Sequence, residues 1–299
     1  MKLSTHIASQ RVRLGEERTI RMLREIGFDA YDYSVMPGGG GPEDHPVFQD
    51  GWREHVRALR VLSDEIGIEC NQSHAPFPTR KTDEPEDGPY NAGIMDRIIR
   101  AMEAAAMLGA KVIVVHSVKA MPYLGREEYW RDLNLDIFRS LAPYAKRFGI
   151  RIGLEDLFNY DSARRTYIEA TGMHPAEMCA MLEALGDDCF TVCLDLGHAQ
   201  LAGYSVPDYI RFLGRDRLGA LHVHDNYGRG DDHLPPFSGM MKWNEVACAL
   251  GEIDYRGDFT LECERFVKKM PETLIPSAMR YLHDISREVM KMIEEHRPA

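Results

Sequence analysis

Acidic and imidazole side chains stand at the ends of four short β-rich runs in the second half of this 299-residue chain. These side chains are Glu155, Asp195, His224 and Glu262. Burying carboxylates and histidines together is unfavourable unless a cation balances their charge. Such a mixture of oxygen and nitrogen ligands suits Mn²⁺, Co²⁺, Zn²⁺ or Mg²⁺. The sequence therefore predicts a site for one divalent metal ion where these runs end.

Other side chains of the same types lie at or near the ends of further runs. They are His74, His116, His198, Asp231 and His233. Their positions allow either a second metal site, with additional zinc as one option, or a rim that contacts substrate. We interpret His6, at the end of the first run, and His222, one layer deeper in its run, as packing or hydrogen-bonding residues. The remaining histidines are interpreted as surface residues: His45, His55, His174, His283 and His296.

Short β-rich runs alternate with longer amphipathic segments along the whole chain. The runs cover residues 2–8, 28–35, 68–75, 111–118, 150–157, 190–197, 218–226 and 258–264. Apolar residues recur at helical spacing over 52–67, 95–110 and 135–149, and a last helix is expected near 272–295. Such alternation gives parallel sheets, and eight units are typical of a barrel. We therefore predict an α/β protein, a (β/α)₈ TIM barrel that occupies residues 1–299 as a single domain.

Alternation within each run predicts where the ionisable side chains point. In the run 150–157, Ile152 and Leu154 share one face, whereas Gly153 and Glu155 share the other. The large apolar side chains should pack on helices, so the ionisable ones should meet at the barrel mouth. The glycine-rich stretch 38–46 is predicted to be a loop on the same face. A doubly wound open sheet is the alternative, but neither G-x-G-x-x-G nor a P-loop follows the first run.

The composition is typical of a globular protein, with 44% apolar and 28% charged residues. No apolar run approaches the roughly 18 residues of a membrane-spanning helix, and the N-terminus lacks the apolar segment of a secretory signal. We therefore expect a cytoplasmic protein with no membrane partner. The net charge of −11 disfavours broad contact with nucleic acid. The six cysteines contain no C-x-x-C pair, which predicts unpaired thiols.

Several of these motifs resemble those of one superfamily. The most specific is H-V-H-D-N-x-G-R-G-D-D-H-L-P-P at 222–236, accompanied by L-E-D at 154–156, L-D-L-G-H at 194–198 and L-E at 261–262. S-H-A-P-F at 73–77 and V-V-H at 114–116 fit the same pattern. The chain thereby resembles the xylose isomerase-like barrel superfamily, which includes sugar phosphate isomerases and epimerases, ketose 3-epimerases and endonuclease IV.

The resemblance to ketose 3-epimerases implies an isomerase or epimerase of a small carbohydrate: a keto-sugar, a sugar phosphate or a related polyol. Glu155 and Glu262 would be catalytic, moving a proton on opposite faces of one carbon through an enediolate. His198 and Arg229 would hold substrate oxygens, although Arg229 lies one position closer to the metal histidine than the epimerase arginine does. Leu157 occupies the position of the lysine in xylose isomerases proper, which disfavours lysine-dependent isomerisation. The resemblance also allows a homo-oligomer.

Three alternatives remain open. Endonuclease IV, a zinc phosphodiesterase of abasic DNA, resembles this chain in offering nine ligands for three zinc ions. The corresponding residues are His74, His116, Glu155, Asp195, His198, His224, Asp231, His233 and Glu262. The flanking residues and the acidic charge fit that enzyme poorly. A metal-dependent lyase or dehydratase of keto-sugars or inosose is the second alternative, and a non-catalytic sugar-binding barrel is the third.

Overall fold

The structure is a computed structural model that describes residues 1–35, 44–186 and 188–298. Most of the predicted glycine-rich loop at 38–46 therefore lies outside the described residues. Among the described residues, no helix is both long and apolar enough to cross a bilayer.

Eight parallel strands form the central barrel. The ten strands of the described chain are β1 (Leu3–Thr5), β2 (Ala30–Ser34), β3 (Glu69–His74), β4 (Val112–Val115), β5 (Arg151–Glu155), β6 (Phe158–Asp161), β7 (Thr166–Glu169), β8 (Phe190–Asp195), β9 (Leu218–His222) and β10 (Phe259–Leu261). Six pair in the order β2-β3-β4-β5-β8-β9, and β1 pairs with β10. Parallel bridges His6–Asp32 and Val223–Leu261 join these two groups. The closed sheet confirms the predicted TIM barrel and excludes the open sheet.

Helices follow most barrel strands and surround them. They are α1 (Ala8–Leu14), α2 (Glu16–Ile26), α3 (Trp52–Ile66), α4 (Asn91–Leu108), α5 (Glu127–Phe148), α6 (Pro175–Leu185), α7 (Leu196–Leu201), α8 (Val206–Arg217), α9 (Trp243–Glu252), α10 (Glu264–Lys268) and α11 (Ile275–Glu295). Helix α3 ends at Gly67, whose positive φ of 72° lets its N–H bond the carbonyl of Ser63. The sequence did not predict the antiparallel hairpin β6–β7, which follows β5 on the mouth side.

Two separate apolar clusters confirm the predicted alternation. Ile152 and Leu154 belong to the large cluster that lies between the sheet and the helices. A small second cluster consists of Val112, Val114, Cys193 and Ala220, which fill the barrel interior. Side chains on that inner face therefore continue toward the mouth, where the polar residues stand.

His45 is buried, so its prediction as a surface residue is wrong. The imidazole is 1% exposed and packs nearly perpendicular to the Tyr33 ring, with the ring centroids 5.5 Å apart. Its Nδ1 accepts a hydrogen bond from the Val47 N–H at 3.2 Å and caps the short 3₁₀ helix Pro46–Phe48. Burial lowers the pKa of His45 to about 3, so the ring is uncharged at neutral pH. The other four histidines of that group are partly or fully exposed.

Candidate active site

Four buried side chains converge where barrel strands end. Glu155, Asp195 and His222 are the last residues of β5, β8 and β9, and Glu262 directly follows β10. The Nδ1 atom of His222 lies 3.2 Å from Glu155 Oε1, 3.9 Å from Asp195 Oδ2 and 3.8 Å from Glu262 Oε1. None of the four is more than 7% exposed. Three carboxylates thus surround one imidazole nitrogen.

The ligand chemistry of this cluster fits a divalent cation. Both ring nitrogens of His222 are buried without a well-directed hydrogen bond, although Nδ1 lies 3.2 Å from Glu155 Oε1. Buried polar atoms that approach one another without hydrogen bonding are unfavourable, and a cation would satisfy them. One nitrogen and three carboxylates form the donor set expected for Mn²⁺, Co²⁺ or Zn²⁺. Residues Glu155, Asp195, His222 and Glu262 could therefore hold one metal ion.

His224, the predicted metal histidine, faces another part of the site. Its Nε2 lies 3.0 Å from Asp195 Oδ1 and 3.8 Å from Asp231 Oδ1, and its ring stacks on His233 at 4.1 Å. Among the described residues it makes no ion pair with Glu155 or Glu262. Its role as the ligand of the first metal stays a prediction, while the geometry favours His222.

A histidine contacts each of the two candidate catalytic glutamates. His116 Nε2 lies 2.8 Å from Glu155 Oε2, and His74 Nε2 lies 2.9 Å from Glu262 Oε1. On its other side, His74 Nδ1 lies 3.0 Å from Asp32 Oδ2. Asp32 was absent from the sequence candidates, yet its inward position between Tyr31 and Tyr33 was readable from strand alternation.

The pKa values of the two glutamates favour their charged forms. Burial opposes ionisation of Glu155, but His116 and His222 hold its pKa well below the usual range. Burial likewise opposes ionisation of Glu262, whose pKa His222 and His74 hold well below normal. Both side chains are therefore carboxylates at neutral pH, the form that can accept a proton or bind a metal ion.

The other predicted ligands form a second cluster beside the first. His233 Nε2 lies 2.9 Å from Asp231 Oδ2, and His198 Nε2 lies 3.8 Å from Asp231 Oδ1. Glu264, which the sequence analysis missed, places Oε2 3.3 Å from His233 Nδ1. Atoms of His224, Asp231 and His233 lie close enough together to share one ion. The structure thus brings His198 and His233 together around Asp231, whereas the candidates His74 and His116 lie against the two glutamates.

Asp156 and Gly197 hold the site in place. Asp156 accepts a hydrogen bond from the Asp195 N–H at 2.6 Å, and its carbonyl contacts His198 Nδ1 at 2.9 Å. Burial and the nearby Asp195 carboxylate raise the pKa of Asp156 well above its usual value. A Cβ at Gly197 would lie 2.0 Å from the His224 ring, so only glycine permits this close approach.

A cavity of about 420 Å³ opens above the two clusters. Phe77, Leu157 and Phe158 form its apolar wall, and both candidate catalytic glutamates line it. Arg229 does not line this cavity: it borders a separate depression with Tyr227 and Met240. The structure therefore does not bring Arg229 to the position of a substrate ligand, and that role stays a prediction.

We expect His222→Gln to weaken binding of the first metal ion more than His224→Gln does, by at least about tenfold. Loss of a residue that only supports a ligand costs about 10–100-fold in affinity, and loss of a ligand should exceed that. Competition between the protein and a chelating dye for Mn²⁺ or Zn²⁺ measures the tightest site in each variant. A larger loss of metal affinity in His224→Gln would support His224 as the ligand, as the sequence predicted.

Comparison with known proteins identifies the family to which this barrel is similar. A family model described as xylose isomerase-like TIM barrel matches residues 20–285. A protein of Sinorhizobium fredii is 30% identical over 283 residues, 83% of this chain and 81% of its own length. A D-psicose 3-epimerase of Enterocloster bolteae is 29% identical over 124 residues, 42% of this chain and 37% of that enzyme.

Solved structures share the fold. A D-tagatose 3-epimerase-like protein superposes with a TM-score of 0.75 at 21% identity and covers 99% of each chain. The IolI protein with a bound zinc atom superposes with a TM-score of 0.73 at 15% identity and covers 100% of each chain. At these identities the likeness concerns the fold alone. With the family match over most of the sequence, it shows that the chain belongs to the xylose isomerase-like TIM-barrel family.

Proposed function

We propose that this protein is a divalent-metal-dependent isomerase or epimerase of a small carbohydrate. Glu155, Asp195, His222 and Glu262 would hold the ion. The observation that carries the proposal is the approach of Glu155 and Glu262 to the same His222 nitrogen, at 3.2 and 3.8 Å, from the fifth and eighth barrel strands. Two ionised carboxylates are thereby positioned on different sides of one buried point, beneath an open cavity.

Inversion of a carbon centre needs a base on one face and an acid on the other. A bound divalent ion would polarise the carbonyl and neighbouring hydroxyl of a keto-sugar and so make the adjacent C–H more acidic. Glu155 and Glu262 would remove and return the proton, and the histidine beside each would hold its carboxylate in place. The apolar side chains of Leu157 and Phe158, which line the cavity, would limit the access of water to the reacting carbon. Epimerisation is favoured over lysine-dependent isomerisation, because Leu157 offers no ammonium group.

The carbohydrate class is supported by the named relatives. The E. bolteae relative is a D-psicose 3-epimerase, and one structural neighbour is described as D-tagatose 3-epimerase-like. A metal ion is supported by the zinc atom in the IolI structure and by the buried ring nitrogens of His222 here, one of which three carboxylates approach.

Exchange of substrate hydrogen with solvent tests this function. The protein loaded with Mn²⁺, Co²⁺ or Zn²⁺ is incubated in D₂O with a panel of ketoses, their phosphates and inosose, and the products are followed by NMR. We expect deuterium at the carbon next to the carbonyl together with inversion there. Loss of a hydroxyl as water would identify a dehydratase instead. No exchange in any substrate with the metal verified in place would contradict the proposal.

A zinc phosphodiesterase of abasic DNA is the second candidate, favoured by the cluster around Asp231 that lies next to the first site. The net charge of −11 argues against it, since DNA affinity depends largely on phosphate contacts. We expect no incision of an abasic duplex by the zinc-loaded protein. Efficient cleavage that weakens steeply with salt, with three zinc ions per chain, would reverse this ranking.

A further inference from the structure

The polar side chains that line the cavity are all ionisable. Histidines and carboxylates form its floor, and Lys119, Arg265 and Lys268 stand among its lining residues. No serine, threonine, tyrosine, asparagine or glutamine side chain lines this described cavity. Small-molecule sites orient their ligands through a few polar groups, which include backbone groups, hydroxyls, amides and charged side chains. Away from the floor, this cavity offers only cationic donors and an apolar wall.

Two of the cations lie on one short helix, α10, which begins two residues after Glu262. Arg265 and Lys268 are three positions apart in α10, so they share one side of it. Arg265 is 54% exposed and makes one long contact among the described residues, 3.4 Å from its Nη2 to Asp231 Oδ2. Lys268 is exposed and has no ion pair within the described chain. Arg13 fixes the helix through the carbonyls of Val267 and Lys268 at 3.1 and 3.3 Å.

The third cation stands across the mouth. Lys119 follows β4, the fourth barrel strand, whereas α10 follows the eighth. Its Nζ donates to the Phe158 carbonyl at 3.1 Å and lies 4.9 Å from the Phe158 ring. An ammonium group has three donors, so the contact with Phe158 leaves two for a ligand. These three side chains are here called the cationic rim.

We propose that the substrate carries an anionic group, a phosphate or a carboxylate, which the cationic rim binds while the uncharged end enters the carboxylate floor. This inference rests on the proposed function and names its substrate class. Glu155, Glu262 and Asp231 line the same cavity as these three cations. Three cationic side chains at one mouth attract an anionic group. An anion held at the rim therefore leaves the other end of the substrate to face the two glutamates.

Charge removal at the rim tests the proposal on metal-loaded protein. The variants are Lys119→Gln and Arg265→Gln/Lys268→Gln, with Lys242→Gln and Arg57→Gln as controls for exposed cations outside the cavity. The probes are a ketohexose, its 6-phosphate and the corresponding keto-acid, together with inorganic phosphate measured on both metal-free and metal-loaded protein. Calorimetry gives Kd, and solvent exchange gives turnover. Substitutions at these exposed positions should leave the melting temperature unchanged, and circular dichroism measures it for each variant.

We expect rim variants to weaken binding of the 6-phosphate or the keto-acid by about tenfold or more, the scale of one charged hydrogen bond. Binding of the uncharged ketohexose should stay within twofold, as should every probe in the control variants. A loss of anion binding in only one rim variant would support the anion site and would locate it at Lys119 or at α10, whichever was changed. If the rim variants weaken binding of the 6-phosphate, the site is a phosphate site; if they weaken binding of the keto-acid, it is a carboxylate site.

Equal binding of charged and uncharged probes, unaffected by the rim variants, would overturn the inference and leave the epimerase proposal intact. Rim variants that lose abasic-DNA binding but not small-anion binding would also overturn it. Absence of proton exchange in every probe would instead count against the proposed function, while rim-dependent binding of phosphate to the metal-free protein would still support the anion site.

Discussion

Replacing Glu155 or Glu262 with glutamine is expected to lower epimerisation at least about 100-fold, the lower range for general acid–base catalysis. Glutamine keeps the size of the side chain and one oxygen ligand but removes the basic carboxylate. Each variant retains the other carboxylate, which can still remove a proton from its own face. We therefore expect one variant to wash substrate hydrogen into D₂O without inverting the centre.

Metal content must be verified in both glutamine variants, because each residue also serves as a proposed ligand. Glu128→Gln is the matched control, since Glu128 is 84% exposed at the surface of α5. Its turnover should equal that of the wild type. If Glu155→Gln and Glu262→Gln both keep the metal and epimerise at near wild-type rates, the mechanism with two carboxylates is wrong.

Removing the metal is expected to abolish activity and lower the melting temperature. An ion that binds only the folded chain adds about 2.7 kcal/mol of stability at 100 times its Kd. For a chain of this size, that corresponds to a shift on the order of 4 °C. Without the cation, the carboxylates of Glu155, Asp195 and Glu262 remain buried near one another, balanced only by imidazoles.

Scanning calorimetry before and after EDTA treatment, with the residual metal quantified, measures this effect. Returning Mn²⁺, Co²⁺ or Zn²⁺ should restore both stability and turnover, and uptake should release protons because an imidazole ligates only when neutral. The variant His222→Gln should show a much smaller shift with metal, which separates specific binding from general effects of EDTA. An unchanged melting temperature and full activity after verified removal would refute metal dependence.

The order of elements and most of the floor of the site were predictable from the sequence. Eight β-rich runs with helices between them indicate a parallel sheet, since such a sheet needs crossover helices, and eight units are typical of a barrel. Alternation along each strand then aims Glu155, Asp195 and Glu262 inward at the same mouth, because those residues close their strands. These features depend on local spacing, which a sequence displays directly.

Other features depend on where each strand stops and how the loops return. His222 and His224 are equivalent by alternation, but β9 ends at His222. Only the His222 ring approaches all three carboxylates of the described site, whereas His224 contacts Asp195 among them. Asp32 and Asp156 support the site through contacts with His74 and Asp195, which lie 42 and 39 positions away in the chain. Sequence spacing carries no information about such contacts.

The rim of the cavity was decided by the tertiary structure alone. Arg229 looked like a substrate ligand from its motif, yet its loop carries it to a separate depression, whereas Lys119 and Arg265 reach the cavity from opposite strands. His45 likewise became buried only through packing against Tyr33. The face of a strand on which a side chain lies follows from periodicity. The paths of loops follow from many weak contacts across the fold, which no local pattern encodes.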